Sequence, residues 1–308
     1  RSVMEHNHNP THIHSHGSDQ KLSVAILVNI LLSIVQVIGG IISGSLSLIA
    51  DALHNFSDAG AIIVALMARR IGEKHADNRM TYGYKRAEII GVIINSTTLI
   101  VVGLYLAYES ILRFMSPTPI DGWIVIWLAG LALVVDLITA LMTYLAGAKH
   151  SMNIRAAFIH NLSDAAASVV VIVSGILIIL FEFYLVDVIA TLLIAGYVIY
   201  HGLLLLKKSI SIIMQAVPDE VVIDDIKAVL EGVDGVVSAK HIHVWQLDEQ
   251  QFFAEINLEL KEHCQKELKT KVRQVMKEKF SIEHTTIETS MVDCQNCLNT
   301  ANHQCHLK

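Results

Sequence analysis

Six long apolar runs set what this chain can fold into. They are Leu22–Ile42, Leu46–Ala68, Ala87–Leu112, Trp123–Leu145, Ala156–Phe181 and Val186–Leu206. Each is close to the roughly 20 residues that an α-helix needs to cross the hydrocarbon of a bilayer. In hydrocarbon no water is present to bond the backbone, so a spanning segment must satisfy its own N–H and C=O groups, as a helix does. The whole chain is 53% hydrophobic and 17% charged, too apolar for an ordinary soluble domain. The apolar residues are unevenly spread: from Pro218 onward the sequence has normal soluble polarity. The chain therefore reads as four parts: a disordered His-rich segment (1–20), a transmembrane domain (21–208), a soluble domain (209–290) and a Cys/His-rich tail (291–308).

Charge in the short links orients the spans. Arg69, Arg70, Lys74, Arg79, Lys85 and Arg86 follow the second span, Lys149 and Arg155 the fourth, and Lys207 and Lys208 the sixth. The other side has Arg113 alone, beside Glu109, Asp121, Glu182 and Asp187. Basic residues favour the cytoplasmic side, which puts both termini in the cytoplasm. No secretory leader is visible, since the first residues are polar and carry His6, His8, His12, His14 and His16. The soluble part predicts a helix from Pro218 to Glu231 and strands at Val236–Leu247 and Gln251–Leu260. A helix at Cys264–Phe280 and a strand at Glu283–Thr289 complete it. The order α-β-β-α-β suggests a ferredoxin-like sandwich. The expected fold class is an α-helical membrane protein, a six-helix transmembrane bundle with a cytoplasmic α+β ferredoxin-like domain. A net charge of −6 argues against a nucleic-acid partner. The cysteines Cys264, Cys294, Cys297 and Cys305 do not form a secreted disulfide framework.

The pattern His-x-x-x-Asp occurs twice inside apolar spans, as His54/Asp58 and His160/Asp164, with matching flanks HNFSDA and HNLSDA. Residues four apart share a helix face, about 6 Å apart along the axis. Each span thus offers one imidazole nitrogen and one carboxylate oxygen. Two such half-sites facing each other make a two-nitrogen, two-oxygen tetrahedral set suited to Zn2+. Each pair alone reads equally as a local hydrogen bond that satisfies two polar groups. The repetition favours a metal, because four converging polar groups in hydrocarbon require a counterion. Asp51 lies near the same face, as part of an ion path or as a helix-entry acid. Asp136 sits mid-span, as a proton-titrating group or as a partner of a polar residue on a neighbouring helix. Asn55 and Asn161 point away from the histidine face and are expected to donate hydrogen bonds between helices.

The segments LSLIADALHNFSDA, TYGYKRAEIIG, HNLSDAAAS, VPDE and HIHVWQL occur in this order and resemble the cation diffusion facilitators, a zinc-transporter family. The resemblance covers Leu22 to Thr289. It implies a homodimeric antiporter that exports Zn2+ from the cytoplasm in exchange for protons. It further implies a transport site of His54, Asp58, His160 and Asp164 between the second and fifth spans, and a dimerising cytoplasmic domain that binds regulatory zinc. Two family features are altered here. Met80 and Tyr84 stand where some members carry metal-binding histidines after the second span, leaving Asp77 and His75. Lys240 stands where some members place a ligating histidine in the first strand. Further candidate ligands are His243, which reads equally as a strand residue beside Trp245, and His263, His284, Cys294 and Cys297. The tail residues fit a flexible chelating segment better than a folded zinc finger.

The expected function is proton-coupled antiport of Zn2+, with Cd2+ and Co2+ as further substrates, by alternating access. The partners are a divalent metal ion, protons, the bilayer and a second copy, and the location is a bacterial inner membrane. Zn2+ is both the transported substrate and a candidate regulatory ligand. No phosphate loop of the type G-x-x-x-x-G-K-[ST] is present, as expected for gradient-driven transport rather than ATP hydrolysis. Two other readings are a membrane-anchored metal sensor and a zinc metalloenzyme. Catalytic zinc keeps a coordination position open for water, which a four-residue set would close.

Overall fold

The computed structural model describes residues 16–145, 152–261 and 265–291. The six expected helices are all present: α1 (His16–Ser43), α2 (Leu46–Gly72), α3 (Ala87–Met115), α4 (Gly122–Leu145), α5 (Met152–Phe181) and α6 (Leu185–Ile213). Five are long and apolar enough to cross a membrane, and a shorter apolar stretch, Leu27–Ser43, lies in α1. Two ends differ from expectation. Helix α1 begins at His16, inside the stretch read as unstructured, and α6 runs on past Lys207 and Lys208 to Ile213. Once an apolar segment has nucleated a helix, each added residue costs little, so polar neighbours without proline join it.

The chain divides into two compact units. Of the described residues, one holds those up to Val64 together with those of Asn95–Leu203; the other holds Ala65–Ile94 and those from Leu204 onward. In this division the ends of α2, α3 and α6 group with the sheet domain. A local contact accompanies this: Tyr82, in the link between α2 and α3, sets its ring 5.6 Å from that of Phe253 in the sheet.

The first unit has inverted polarity. Gln36, Asp51, His54, Asp136, Asp164 and Ser168 are buried, whereas Leu31, Ile38, Trp127 and Leu131 are exposed. A soluble domain would reverse this arrangement; a lipid-facing bundle requires it. An apolar core drawn from five helices includes Leu48, Leu99, Val125, Val171 and Val198. Helices α4 and α5 cross where Gly122 meets Gly175: a Cβ on Gly122 would lie 2.7 Å from the Gly175 carbonyl oxygen. Small residues permit such close approach, which dispersion rewards in lipid. Between α1 and α2 the chain turns at Gly44, whose φ of 77° lies in the left-handed region. The Arg113 guanidinium donates to its carbonyl oxygen.

Asp187, read above as a link acid, is fully buried. Its carboxylate accepts from Ser45 Oγ and Ser47 Oγ, both at 2.6 Å, and from the Leu46 amide at 2.8 Å. It thereby caps the α2 N-terminus, where free amides and the helix dipole favour an anion. This clamp fixes the start of α2, eight residues before His54.

The second unit contains α7 (Ile223–Glu231), β1 (Val236–Gln246), β2 (Phe252–Leu260), α8 (Gln265–Phe280) and β3 (Ile282–Met291). The order α-β-β-α-β matches expectation. Strand β1 pairs antiparallel with β2, which pairs parallel with β3 across α8. Helix α7 starts at Ile223 rather than Pro218. The Pro218 carbonyl instead accepts from the Val221 amide in a turn, and Asp224 and Asp225 supply the first-turn acids. One face of β2, with Ala254, Ile256, Leu258 and Leu260, packs on Ile226, Leu230, Val272 and Met276. Burial of each large side chain there contributes about 1.5–3 kcal/mol.

Candidate functional site

Both His-x-x-x-Asp segments are helical, His54 and Asp58 in α2 and His160 and Asp164 in α5. The four side chains meet. Within each helix the His Nε2 lies 3.6 Å from an oxygen of its own aspartate. Between helices, His54 Nε2 lies 3.2 Å from Asp164 Oδ1 and His160 Nε2 3.4 Å from Asp58 Oδ2. Each histidine therefore faces the other helix's aspartate, as expected for two copies of one motif laid head to tail. The imidazole rings stand at 83° with centroids 6.3 Å apart, so the nitrogens approach a common centre from different directions.

These separations fit a small ion. Ligand bonds of about 2.0–2.1 Å around a tetrahedral zinc place neighbouring ligand atoms roughly 3.3 Å apart. The four nitrogen–oxygen distances, 3.2 to 3.6 Å, already lie within a few tenths of that edge. His54, Asp58 and Asp164 each offer a ligand atom within 4.8 Å of the others. Asp58 Oδ2 is buried, with the two imidazole nitrogens at 3.4 and 3.6 Å as its polar neighbours, an oxygen that a cation or a proton would satisfy. His54 and Asp164 are buried, whereas the His160 side chain is 47% exposed. The set is therefore closed on the His54 side and accessible at His160.

Polar side chains adjoin the quartet. Gln36 Nε2 of α1 donates to Asp51 Oδ2 at 2.9 Å. Ser168 Oγ of α5 lies 3.4 Å from that same oxygen and 3.2 Å from Asp136 Oδ2 of α4. Asp136 thus has the neighbouring-helix polar contact that was one of its two sequence readings, and Asp51 is buried. Neither Ser168 nor Gln36 was singled out in the sequence; the signal was Ser168's place four residues after Asp164, on the same face. The Tyr197 ring of α6 packs edge-on to His54 at 6.0 Å. Asn55 is buried, but its Nδ2 has no acceptor, so it does not supply the expected interhelical bond.

Among the described residues, the remaining candidates do not gather. His243 pairs across β1 and β2 with Glu255, and His284 pairs across β2 and β3 with Phe253. The two histidines are exposed and lie on the outer strands, about 10 Å apart across the sheet at some 4.8 Å per strand. His284 instead packs its ring 4.8 Å from Phe253, on whose other side Trp245 stacks at 5.9 Å. Lys240 of β1 holds Glu259 Oε1 at 2.6 Å, and Ser238 donates to Oε2 at 2.6 Å. These bonds hold the Glu259 carboxyl below its ordinary range. In the link after α2, Asp77 accepts from the Arg79 and Met80 amides and from the Tyr84 hydroxyl, at 2.7, 2.8 and 2.7 Å. Its carboxylate is committed to closing a turn, and the three donors lower its pKa. His263, Cys294 and Cys297 lie outside the described residues.

Residues 22–214 match the family described as cation efflux transmembrane domain, and residues 218–290 match the cation efflux protein, cytoplasmic domain. The chain is 35% identical over 238 residues to a cadmium, cobalt and zinc/H(+)-K(+) antiporter of Bacillus subtilis, covering 77% of this chain and 76% of that protein. It is 30% identical over 287 residues to the metal cation efflux system protein CzcD of Cupriavidus metallidurans, covering 92% and 90% of the two chains. It is 29% identical over 294 residues to the zinc transporter ZitB of Pectobacterium atrosepticum, covering 95% and 91%. With apolar membrane helices, a C-terminal α+β domain and matches along nearly the whole length, the chain belongs to the cation diffusion facilitator family of multi-pass membrane transporters, which are not enzymes.

Proposed function

We propose that this protein is a proton-coupled antiporter that exports Zn2+ from the cytoplasm, with His54, Asp58, His160 and Asp164 as its transport site. The observation that carries this reading is the convergence of two imidazole nitrogens and two carboxylates at 3.2 to 3.6 Å between two membrane helices. Imidazole favours zinc and its transition-metal neighbours over Mg2+ and Ca2+, which take oxygen shells. The names of the relatives support metal export in general, and that of the Bacillus subtilis protein includes cadmium, cobalt, zinc and protons. Cd2+ and Co2+ are therefore further substrates to test.

Coupling follows from charge. Two aspartates give the quartet a charge of −2. One Zn2+ balances it with neutral imidazoles; two imidazolium protons balance it without metal. Protons and metal thus compete for the same atoms, and exchanging them leaves no uncompensated charge in the bundle. Alternating access would present the quartet to the cytoplasm for metal loading and to the far side for proton loading. The basic links support a reading with both termini in the cytoplasm and a bacterial inner membrane as the location. Residues 21–208 form the transport domain and 209–290 a cytoplasmic domain through which two copies pair. The matched cytoplasmic domain supports that assignment.

The test is zinc uptake into sealed liposomes under an imposed pH gradient, with Cd2+ and Co2+ in the same panel. Zinc accumulation that rises with the gradient supports the reading. Zinc binding without flux would point to a sensor, and flux that ignores the gradient would remove the proton coupling.

A further inference from the structure

The quartet leaves two buried carboxylates unexplained, Asp51 and Asp136. They belong to α2 and α4, and Ser168 of α5 joins them: its Oγ is 3.4 Å from Asp51 Oδ2 and 3.2 Å from Asp136 Oδ2. All three side chains are almost wholly buried, as is Gln36. A serine hydroxyl has a single proton and can donate to only one neighbour at a time. If both aspartates were ionised, one of the two oxygen–oxygen contacts would hold no hydrogen, and two like charges would share a dry site. One additional proton completes the chain.

Gln36 favours one location for that proton. Its Nε2 donates to Asp51 Oδ2 at 2.9 Å, so this oxygen is an acceptor. Ser168 then donates to the same oxygen, and Asp136, as the neutral acid, donates from Oδ2 to Ser168 Oγ. Two buried oxygens nearby, Asp51 Oδ1 and Gln36 Oε1, have no hydrogen-bond partner, which marks the pocket as short of positive charge. The charged or titratable groups facing it are His54 of α2 and Asp164 of α5; α1 contributes the neutral Gln36.

We propose that Asp51, Ser168 and Asp136 form a proton site, separate from the metal quartet, that holds one counter-transported proton. Asp51 is three residues before His54 and Ser168 four after Asp164, so the site lies about 5 Å along the helices toward the α2 N-terminus. That is the side away from the basic links, from which protons enter in the transport cycle proposed above. Transfer within the site is balanced. The Asp136 O–H bond breaks as Ser168 Oγ takes its proton, and the original Ser168 O–H bond breaks as Asp51 Oδ2 takes the other. Asp136 ends ionised and Asp51 neutral, with no change in total charge.

The role in transport rests on the antiport reading, whereas the location of the proton does not, so two measurements separate them. Infrared difference spectra of the full-length protein in lipid, without metal at neutral pH, should show the carbonyl band of a protonated carboxyl. Asp136→Asn should remove that band, Ser168→Ala should shift it, and Asp136→Glu should restore it, which guards against a merely misfolded variant. A band that survives Asp136→Asn in full would overturn the assignment whatever the protein transports. In liposomes, Asp136→Asn should move about one proton fewer per zinc while its zinc affinity stays within threefold of the parent. An unchanged proton count would sink the coupling role, as would a loss confined to transport driven by a K+ or Na+ gradient. If the parent moves no zinc at all, the antiport reading fails and the infrared result still decides the proton site.

Discussion

Replacing Asp164 with asparagine tests the metal quartet with little change of shape. The side chain is 9% exposed and has oxygens 3.2 Å from His54 Nε2 and 3.6 Å from His160 Nε2. The amide keeps an oxygen near the centre but removes one negative charge. A bound Zn2+ would then keep an uncompensated positive charge inside an apolar bundle. Breaking one member of a buried charge set costs about 3–5 kcal/mol. At 1.4 kcal/mol per tenfold, zinc affinity should fall between roughly a hundredfold and a few thousandfold. Asp58→Asn should weaken binding less, because the Asp58 side chain is 21% exposed and water can compensate there. The assay is competitive zinc titration of the purified full-length protein with Cys294 and Cys297 changed to serine, so that the tail does not mask the loss. An Asp164→Asn affinity within tenfold of its parent would refute the reasoning.

Three other predictions follow. His160→Asp exchanges a nitrogen ligand for an oxygen, so liposome uptake should shift from Zn2+ toward harder ions such as Mn2+; an unchanged metal ranking would show that imidazole does not set selectivity. Asp187→Ala leaves Ser45 and Ser47 buried without their acceptor and uncaps α2; it should lower stability by about 2–4 kcal/mol, read as an earlier thermal unfolding midpoint in detergent. Lys240→Gln removes the ammonium that helps hold the Glu259 carboxyl below its ordinary range. Because that pKa is depressed on folding, the contribution is present above the unfolded value of about 4.3 and is lost as pH falls through the folded one. The variant should be less stable at pH 7 by under about 1 kcal/mol, with the difference vanishing in acid.

The convergence of His54, Asp58, His160 and Asp164 was legible because its signal is redundant. Two rare residues recur at helical spacing with the same neighbours, in segments where an ionisable group is expensive. The spans were legible for a similar reason: every backbone group in hydrocarbon must be bonded, which leaves few alternatives. The polar extension was not. Serine and glutamine in an apolar helix look alike whether they face lipid, a backbone carbonyl or a carboxylate, and only packing distinguishes Ser168 from Ser174. Asp187 lies at the end of a span, where an acid is usually solvated; its burial depends on α2 starting beside α6, a long-range fact. Pro218 gave a misleading helix start, because proline serves a turn as well as a first helical turn. His243 and His284 share a domain and a residue type, but strand order sets them apart.

The most direct test of the central claim is the anomalous diffraction of zinc in crystals of the metal-loaded protein. The account predicts a peak about 2.0–2.1 Å from His54 Nε2, His160 Nε2 and one oxygen each of Asp58 and Asp164. Zinc peaks found only elsewhere, with these four side chains carrying no metal at saturating zinc, would contradict it.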